Sequence, residues 1–447
     1  MRKISNGVTG RVLSVVTVMV GGLALGAGAA AQQQPSSQSP PAASSTTQPQ
    51  GSGGTAREKK EVSARDESIL RRPRAERPDG LPVGQFILFP RIEIEGEYDD
   101  NVFRTRNSTK DDLIGRVRPG FSLVSDWERH SLEIYGQAEL ARYATYSSLN
   151  YESFQAGGRG RIDFTDELAW HTEIDFARIR VPPGAPGLFG AVGTSQTMHV
   201  LTTGGYLAYS GDPFFFRIGP RVRRIDYVKG VVGDQDFTTY EVAARAGYRV
   251  TPDVSVFLDT SYQWVRYSTK IDTAGFNQNN DGFDVRLGVA YDITRVVSAE
   301  LGVGYFRRDF DDSRYKPQDG VSVQGKIYWN PSDTFSIEAE ARRSLSEYRS
   351  ALANAATSNA VQTFVGLRMG WEPIEPLMID GGVSWDQYNY RGQGQKEDYY
   401  TFDIGAKYYF SPQVWAGPRY IFQHRHAKPS ALNYVDNRFL LTLGGAL

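Results

Sequence analysis

The sequence predicts an all-β chain, a transmembrane antiparallel up-and-down β-barrel of about 18 strands with a disordered N-terminal extension. Three observations predict it. From Leu81 to Leu447, segments of strand length alternate apolar and polar residues with period two. The connections between those segments alternate between short turns and longer polar loops. The apolar face carries essentially no charge over its central positions.

Taken in order, the chain begins with basic residues Arg2, Lys3 and Arg11, then an apolar run from Val12 to Ala27. Ala29 and Ala31 stand as small residues before Gln32. This reads as a signal peptide over residues 1–31, cleaved near Ala31. The apolar run is short for a retained membrane helix. The chain has 0 Cys, which removes lipid anchoring, disulfides and thiolate metal sites from consideration.

Residues 32–80 read as a disordered periplasmic linker. As far as Gly54 the composition is Gln, Ser, Pro, Ala and Thr, too polar to bury a core. "REKKEVSARDESILRRPRAERPDG", from Arg57 to Gly80, is a mixed-charge tether in which Glu61 to Leu70 has the makings of one short helix. A solvated linker is the plain reading. A plug, or a docking segment for a periplasmic export partner, is the sharper one.

Residues 81–447 carry the barrel pattern. Leu132, Ile134, Gly136, Ala138 and Leu140 alternate with Ser131, Glu133, Tyr135, Gln137 and Glu139. Phe283, Val285, Leu287, Val289 and Tyr291 alternate with Asp284, Arg286, Gly288, Ala290 and Asp292. Short turns are expected near Glu128, Asp166, Asp212, Pro252, Thr294, Pro331, Pro373 and Pro412, where Pro, Asp or Gly favour tight reversal. Long loops are expected near Arg106, Ser148, Pro186, Gly230, Gln278, Ser313, Ala353, Gln393 and Lys428. An even strand number then puts both ends of the barrel on the short-turn side. A bilayer crossing needs about 9–11 residues per strand, and every backbone donor and acceptor must be paired, so the sheet must close. Aromatic residues near strand ends, such as Phe164, Trp170, Trp329, Phe335, Trp371, Phe410 and Phe422, are expected to form interfacial girdles. No internal window is long and apolar enough for a helical span.

With hydrocarbon toward lipid, the polar face must look into the lumen. The expected lining comprises Glu93, Glu95, Arg116, Arg118, Glu133, Glu139, Arg159, Arg161, Arg217, Arg221, Arg223, Arg245, Arg249, Asp284, Arg286, Glu338, Glu340, Arg368, Asp403 and Lys407. Further inward acids and bases, among them Asp259, Glu300, Asp380 and Arg419, keep the two signs nearly equal. Balanced rows on neighbouring strands pair across the sheet, whereas a lumen of one sign would select ions by charge. Arg217, Arg221, Arg223, Arg245 and Arg249 form a local basic sector, read either as paired with Glu241 and its neighbours or as an anion-binding strip. Tyr135, Tyr328, Phe364, Tyr409 and Trp415 either fill the lumen or offer rings to sugars.

The stretch "IEIEGEYDDN", Ile92 to Asn101, is expected to be the first barrel strand. Ile92, Ile94, Gly96 and Tyr98 face lipid, and Glu93, Glu95, Glu97 and Asp99 face inward. Closure should place these acids between Arg116 and Arg118 of the next strand and Arg438 of the last. The cluster then reads as a paired seam and not as a metal or catalytic site.

Formal net charge is -1, so bulk charge does not point to nucleic acid. Among the five His, and at the Ser residues, no sequence context identifies a nucleophile with its base, so no catalytic residue, enzyme activity or cofactor is assigned. "NQNNDG", Asn277 to Gly282, has oxygen ligands suited to Ca²⁺ but reads more simply as a turn, and no metal site is assigned.

"YDDNVFRT" (Tyr98 to Thr105), "RVRPGFSLVSDWERHSLEIYGQAELARY" (Arg116 to Tyr143) and "YESFQAGGRGRIDFTDEL" (Tyr151 to Leu168) resemble the outer membrane β-barrel porin family of the beta-barrel porin 2 type. The resemblance is strongest over Phe89 to Asp175. It implies a barrel in the outer membrane of a Gram-negative cell, with membrane lipid as its surroundings, and an association with exopolysaccharide gene clusters. The expected function is a passive conduit for an exported exopolysaccharide. The alternatives are a general diffusion porin for small polar solutes and a blocked structural or partner-binding barrel.

Overall fold

The computed structural model describes residues 65, 68–71, 73–76, 78–185, 195–228, 236–271, 275–292, 296–347, 359–390 and 395–447. A short strand, β1 (Leu81–Val83), turns through Gly84, whose φ of +63° is the left-handed conformation glycine adopts without strain, and pairs with the start of β2. The barrel strands are β2 (Phe86–Asp99), β3 (Asp112–Ser125), β4 (Ser131–Tyr143), β5 (Tyr151–Asp163), β6 (Leu168–Val181), β7 (Gln196–Tyr209), β8 (Phe214–Tyr227), β9 (Phe237–Arg249) and β10 (Val254–Tyr267). They continue as β11 (Asn280–Asp292), β12 (Val297–Phe310), β13 (Gln318–Ser332), β14 (Phe335–Ser346), β15 (Ala360–Ile374), β16 (Leu377–Tyr390), β17 (Gln395–Ser411), β18 (Val414–Lys428) and β19 (Tyr434–Ala446). Each pairs antiparallel with its neighbours in sequence, and β19 pairs with β2, so these eighteen strands close into a barrel.

The strands run from 12 to 17 residues. Twelve residues extend about 40 Å along a strand, or about 30 Å along the axis of a barrel tilted near 40°, which matches a bilayer core. Alternation sets the two faces. Leu287 (68% exposed), Phe410 (66%) and Leu441 (64%) stand outward with no protein packed over them. Such a belt of exposed hydrocarbon in a closed sheet needs lipid to cover it. Phe164, Trp329, Trp371 and Phe410 are exposed near the short turns, as a girdle requires.

The short turns near Glu128, Asp166, Asp212, Pro252 and Pro412 fall between strands as expected. Pro331 and Pro373 do not. They sit inside the ends of β13 and β15, at register shifts between Trp329 and Ser332 and between Trp371 and Ile374. Proline has no N–H for the ladder, so pairing slips there and the turn follows one or two residues later. At the opposite end the loops around Arg106, Ser148, Gln278 and Ser313 connect strands, but the connection at 429–433, after Lys428, is no longer than the turn at 126–130. The expected positions Thr294, Pro186, Gly230, Ala353 and Gln393, the signal peptide and most of the linker lie outside the described residues.

Two interior features depart from a uniformly polar lumen. Met198, Val200, Ile225, Phe237, Val265 and Tyr267 face inward near the long-loop end and pack with Val181 and Ala185 into one buried apolar cluster. Hydrocarbon points inward there because Ala185, in the connection after β6, folds back and covers it. The second feature is residues 68–71 and 73–76, within the segment expected to be a solvated linker. They lie inside the short-turn mouth, with Ser68 and Ile69 0% and 3% exposed, and are docked against the wall.

Candidate channel interior

At the seam, Glu93, Glu95, Glu97 and Asp99 turn inward while Ile92, Ile94 and Tyr98 stay exposed. The register sets Glu95 opposite Arg116 and Glu93 opposite Arg118 on β3. Arg116 lies 2.9 Å from Glu95 and also binds Glu97, with all three side chains buried. Arg118 bridges Glu95 at 3.0 Å and Glu139 at 2.5 Å, with Glu93 at 3.8 Å. Glu93 is held more closely by Arg91, at 2.5 Å.

The last acid of the strip departs from expectation. Asp99 stands opposite Arg438 in the ladder, but its ion pair is with Arg104, at 2.9 Å. Arg104 also reaches Asp436 at 2.9 Å, and Arg438 pairs with Asp436 at 3.0 Å. Asn101 makes this possible. Its side chain accepts from the Thr105 amide and donates to the Thr105 and Val435 carbonyls, so the chain bends back with Arg104 at φ +54°. Burial opposes the charge on Arg104, yet Asp436 and Asp99 outweigh it and raise the guanidinium above its ordinary value. The carboxylates of Asp99, Asp100 and Asp436 approach within 4.8 Å of one another. Arg104 and Arg438 oppose them, and Asp100 takes the Asn437 side chain at 2.6 Å, so the group is engaged without an ion.

The remaining lining residues fall into similar sets. Arg159 lies 3.7 Å from Glu133 and 5.0 Å over the Tyr135 ring, whose hydroxyl donates to Asp175 at 2.7 Å. Arg161 pairs with Asp163 at 2.7 Å and Arg221 with Glu173 at 2.9 Å. Arg286 pairs with Asp284 at 3.1 Å, Arg342 with Glu340 at 3.2 Å, and Arg368 with Asp380 at 3.0 Å. Arg419 bridges Asp380, at 2.6 Å, and Asp403. Lys407 sits 4.4 Å over the Trp415 ring, and Glu338 receives the docked N-terminal segment through Ser68 and Arg71.

In the basic sector, Arg245 is gripped by Asp259 at 2.5 Å and Glu300 at 2.8 Å, 3.9 Å over the Phe257 ring. Arg249 donates to the Gly211 carbonyl and lies 5.4 Å over Phe215. Arg217 and Arg223 share the inward face of β8 with Arg221, and Arg217 stands opposite Arg245 in the ladder. The acids that hold Arg245 and Arg221 are thus Asp259, Glu300 and Glu173, and Arg249 lies 4.0 Å from Asp212. Glu241, the acid expected to pair, instead accepts from Gln263.

The interior is unequal around its circumference. The side chains of Arg159 and Glu173, on β5 and β6, remain 43% and 37% exposed. On the far wall Arg425 and Glu397 pair at 2.9 Å with 5% and 7% left. Arg159 and Glu173 are thus far more open to solvent than the Arg425–Glu397 pair. Both mouths are narrowed. At the long-loop end the Gly184 carbonyl reaches across to accept from Tyr399 at 3.1 Å and from Tyr434 and Arg425 at 3.5 Å. A side chain at Gly184, where φ is +74°, would collide with Arg104 and Tyr434.

Some engaged residues escaped the sequence. Arg104 and Asp436 lie in and beside a loop, and the signal that could have found them is the Asp-Asp-Asn turn chemistry. Arg308 pairs at 3.2 Å with Glu347, one residue past the end of β14. Burial pushes the Glu347 carboxyl above the usual carboxylate range, against the pull of Arg308. Nothing in the two-residue period marks that acid as buried.

Comparison with known proteins gives distant structural similarities. The chain is similar to OpdL of Pseudomonas aeruginosa, at 12% identity and TM-score 0.43, over 82% of this chain and 100% of that one. It is similar to OpdO of Pseudomonas aeruginosa at 13% and 0.45, over 82% and 98%, and to OccAB4 of Acinetobacter baumannii at 10% and 0.43, over 82% and 100%. No curated protein matches the chain. The family model described as "Putative beta-barrel porin 2" matches residues 74–445, nearly the whole of the barrel, and this chain, an outer membrane β-barrel of porin type, belongs to that family.

Proposed function

We propose that the protein is a passive outer membrane conduit for neutral polar solutes of carbohydrate type, with an exported exopolysaccharide as its specific substrate. The observation that carries this reading is the pairing of interior charge. Arg116, Arg118, Arg245, Arg368 and Arg419 each face carboxylates within 3.0 Å. Paired rows present hydrogen-bonding groups along the wall while cancelling the field that would favour an ion of one sign. A solute rich in hydroxyls and without charge fits such a wall better than an anion or a cation. The interior rings are less available to sugars, since Arg159, Arg342 and Lys407 lie over Tyr135, Phe364 and Trp415.

A second reading is a general diffusion porin for small polar solutes. The contacts at Gly184 and at Ser68 favour it, because both mouths are narrower than the bare barrel and suit a small molecule better than a chain. Deletion of the gene, followed by measurement of surface polysaccharide, separates the two. Loss of surface polysaccharide with the polymer retained inside the envelope is expected for the conduit. Unchanged export, with slower uptake of small neutral sugars, would replace it with the porin reading.

A further inference from the structure

We propose that residues 68–71 and 73–76 form a displaceable latch that restricts the inner mouth of the channel, an inference that rests on the barrel being a conduit. The segment runs across the inward faces of β13 to β18, six of the eighteen strands. Ser68 donates to Glu338 at 2.9 Å, and the Ile69 amide to the Ser336 hydroxyl at 3.0 Å. Arg71 reaches Glu338 at 3.3 Å and the Tyr328 hydroxyl at 3.2 Å. The Arg74 amide donates to Glu372 at 2.7 Å, and Tyr409 donates to Glu76 at 3.0 Å. Leu70 and Ala75 pack against the cluster of Met378, Tyr409 and Trp415. The covered side chains belong to the lumen face, so the segment occupies space that a solute would otherwise cross.

The mode of attachment makes it a latch and not part of the wall. β1 is zipped to β2 by backbone pairing. Among the described residues 68–71 and 73–76, in contrast, contacts to the wall run through side chains, and the backbone amides of Ile69 and Arg74 bond to wall side chains. The Arg71–Glu338 pair keeps 27% and 21% of its side-chain surface, so water and salt compete for it. Gly80, at φ +70°, follows the segment and offers a hinge. Beside the latch a cavity remains between Glu76 and Pro78 on one side and Tyr135, Gln137 and Lys407 on the other, so the mouth is narrowed without being filled.

The test is single-channel conductance of the full chain in planar bilayers. Leu70→Asp with Arg71→Glu removes the apolar anchor and sets a carboxylate against Glu338. Because the chain has 0 Cys, Ile69→Cys with Ser336→Cys can lock the latch by oxidation and free it by reduction. A conductance rise of about twofold or more is expected for the release variant and on reducing the locked one, since current follows the open cross-section at the narrowest point. Equal conductance of wild type and release variant, with no change on reduction, would overturn the latch and leave the conduit standing. Silence of all forms at every voltage would overturn both. If the release variant does not fold, reduction of the locked pair decides alone.

Discussion

Removal of Arg116 tests the seam most sharply. Arg116→Met keeps the length of the side chain and deletes its charge. Glu95 would retain Arg118 at 3.0 Å and Thr442 at 3.2 Å. Glu97 would not be so placed. Its side chain is 2% exposed, its Oε1 has no hydrogen-bond partner, and its Oε2 is held by Arg116. Breaking a buried pair from one side strands a charge and costs about 3–5 kcal/mol, whereas removing both charges is close to neutral. Arg116→Met alone should therefore lower unfolding stability by about that amount, and Arg116→Met with Glu97→Gln should recover most of it. Urea unfolding in detergent micelles, followed by tryptophan fluorescence, reads both in one double-mutant cycle. A single-variant loss below about 1 kcal/mol, the range of exposed pairs, would refute the seam as a buried pair network. So would a double variant no more stable than the single.

Other perturbations follow from the same structure. Leu287→Arg, at the centre of β11 on the lipid face, should destabilise the barrel by about 2–4 kcal/mol in liposome refolding; a neutral outcome would contradict the outward face. A Cβ on Gly288 would lie 2.2 Å from the Phe257 ring, on which Arg245 rests, so Gly288→Val should cost about 1–3 kcal/mol in urea unfolding by overpacking. The same loss for Gly96→Val, where nothing lies within 4 Å, would undercut that cause. Outside the membrane, hydrogen bonds from Arg314 and from the Asn277 amide hold the Asp312 carboxyl well below its ordinary value of 3.8. A depressed folded-state value means that this loop contact is fully present above 3.8 and is lost only as pH falls through the lower folded value. The carboxyl carbon shift of Asp312 should stay that of the anion on acidification to its ordinary value, and half-protonation there would refute the contact.

Much of the fold was legible because a barrel repeats one rule. Ile92, Glu93, Ile94 and Glu95 reveal their faces by parity alone, and the arginines of the next strand follow by register. Pro331 and Pro373 mislead by a residue or two, since proline marks both a turn and a bulge before it. Met198 and Val200 lie where parity points inward, yet they bring hydrocarbon to a face that is otherwise polar. Only the return of Ala185 explains them. Arg104, Asp436 and Glu347 lie at strand ends or in loops, where pairing depends on how the chain folds back and not on period. The docking of Ser68 to Glu76 joins residues some 270 positions apart, as with Ser68 and Glu338, and no local pattern encodes such a contact.

The proposed conduit, with its interior charges paired, is nearly indifferent to the sign of an ion. The reversal potential across a planar bilayer bathed in a salt gradient measures this directly. Measurable conductance with a reversal potential near zero is expected. A potential close to the Nernst value for either ion, or no conductance at any voltage, would contradict it.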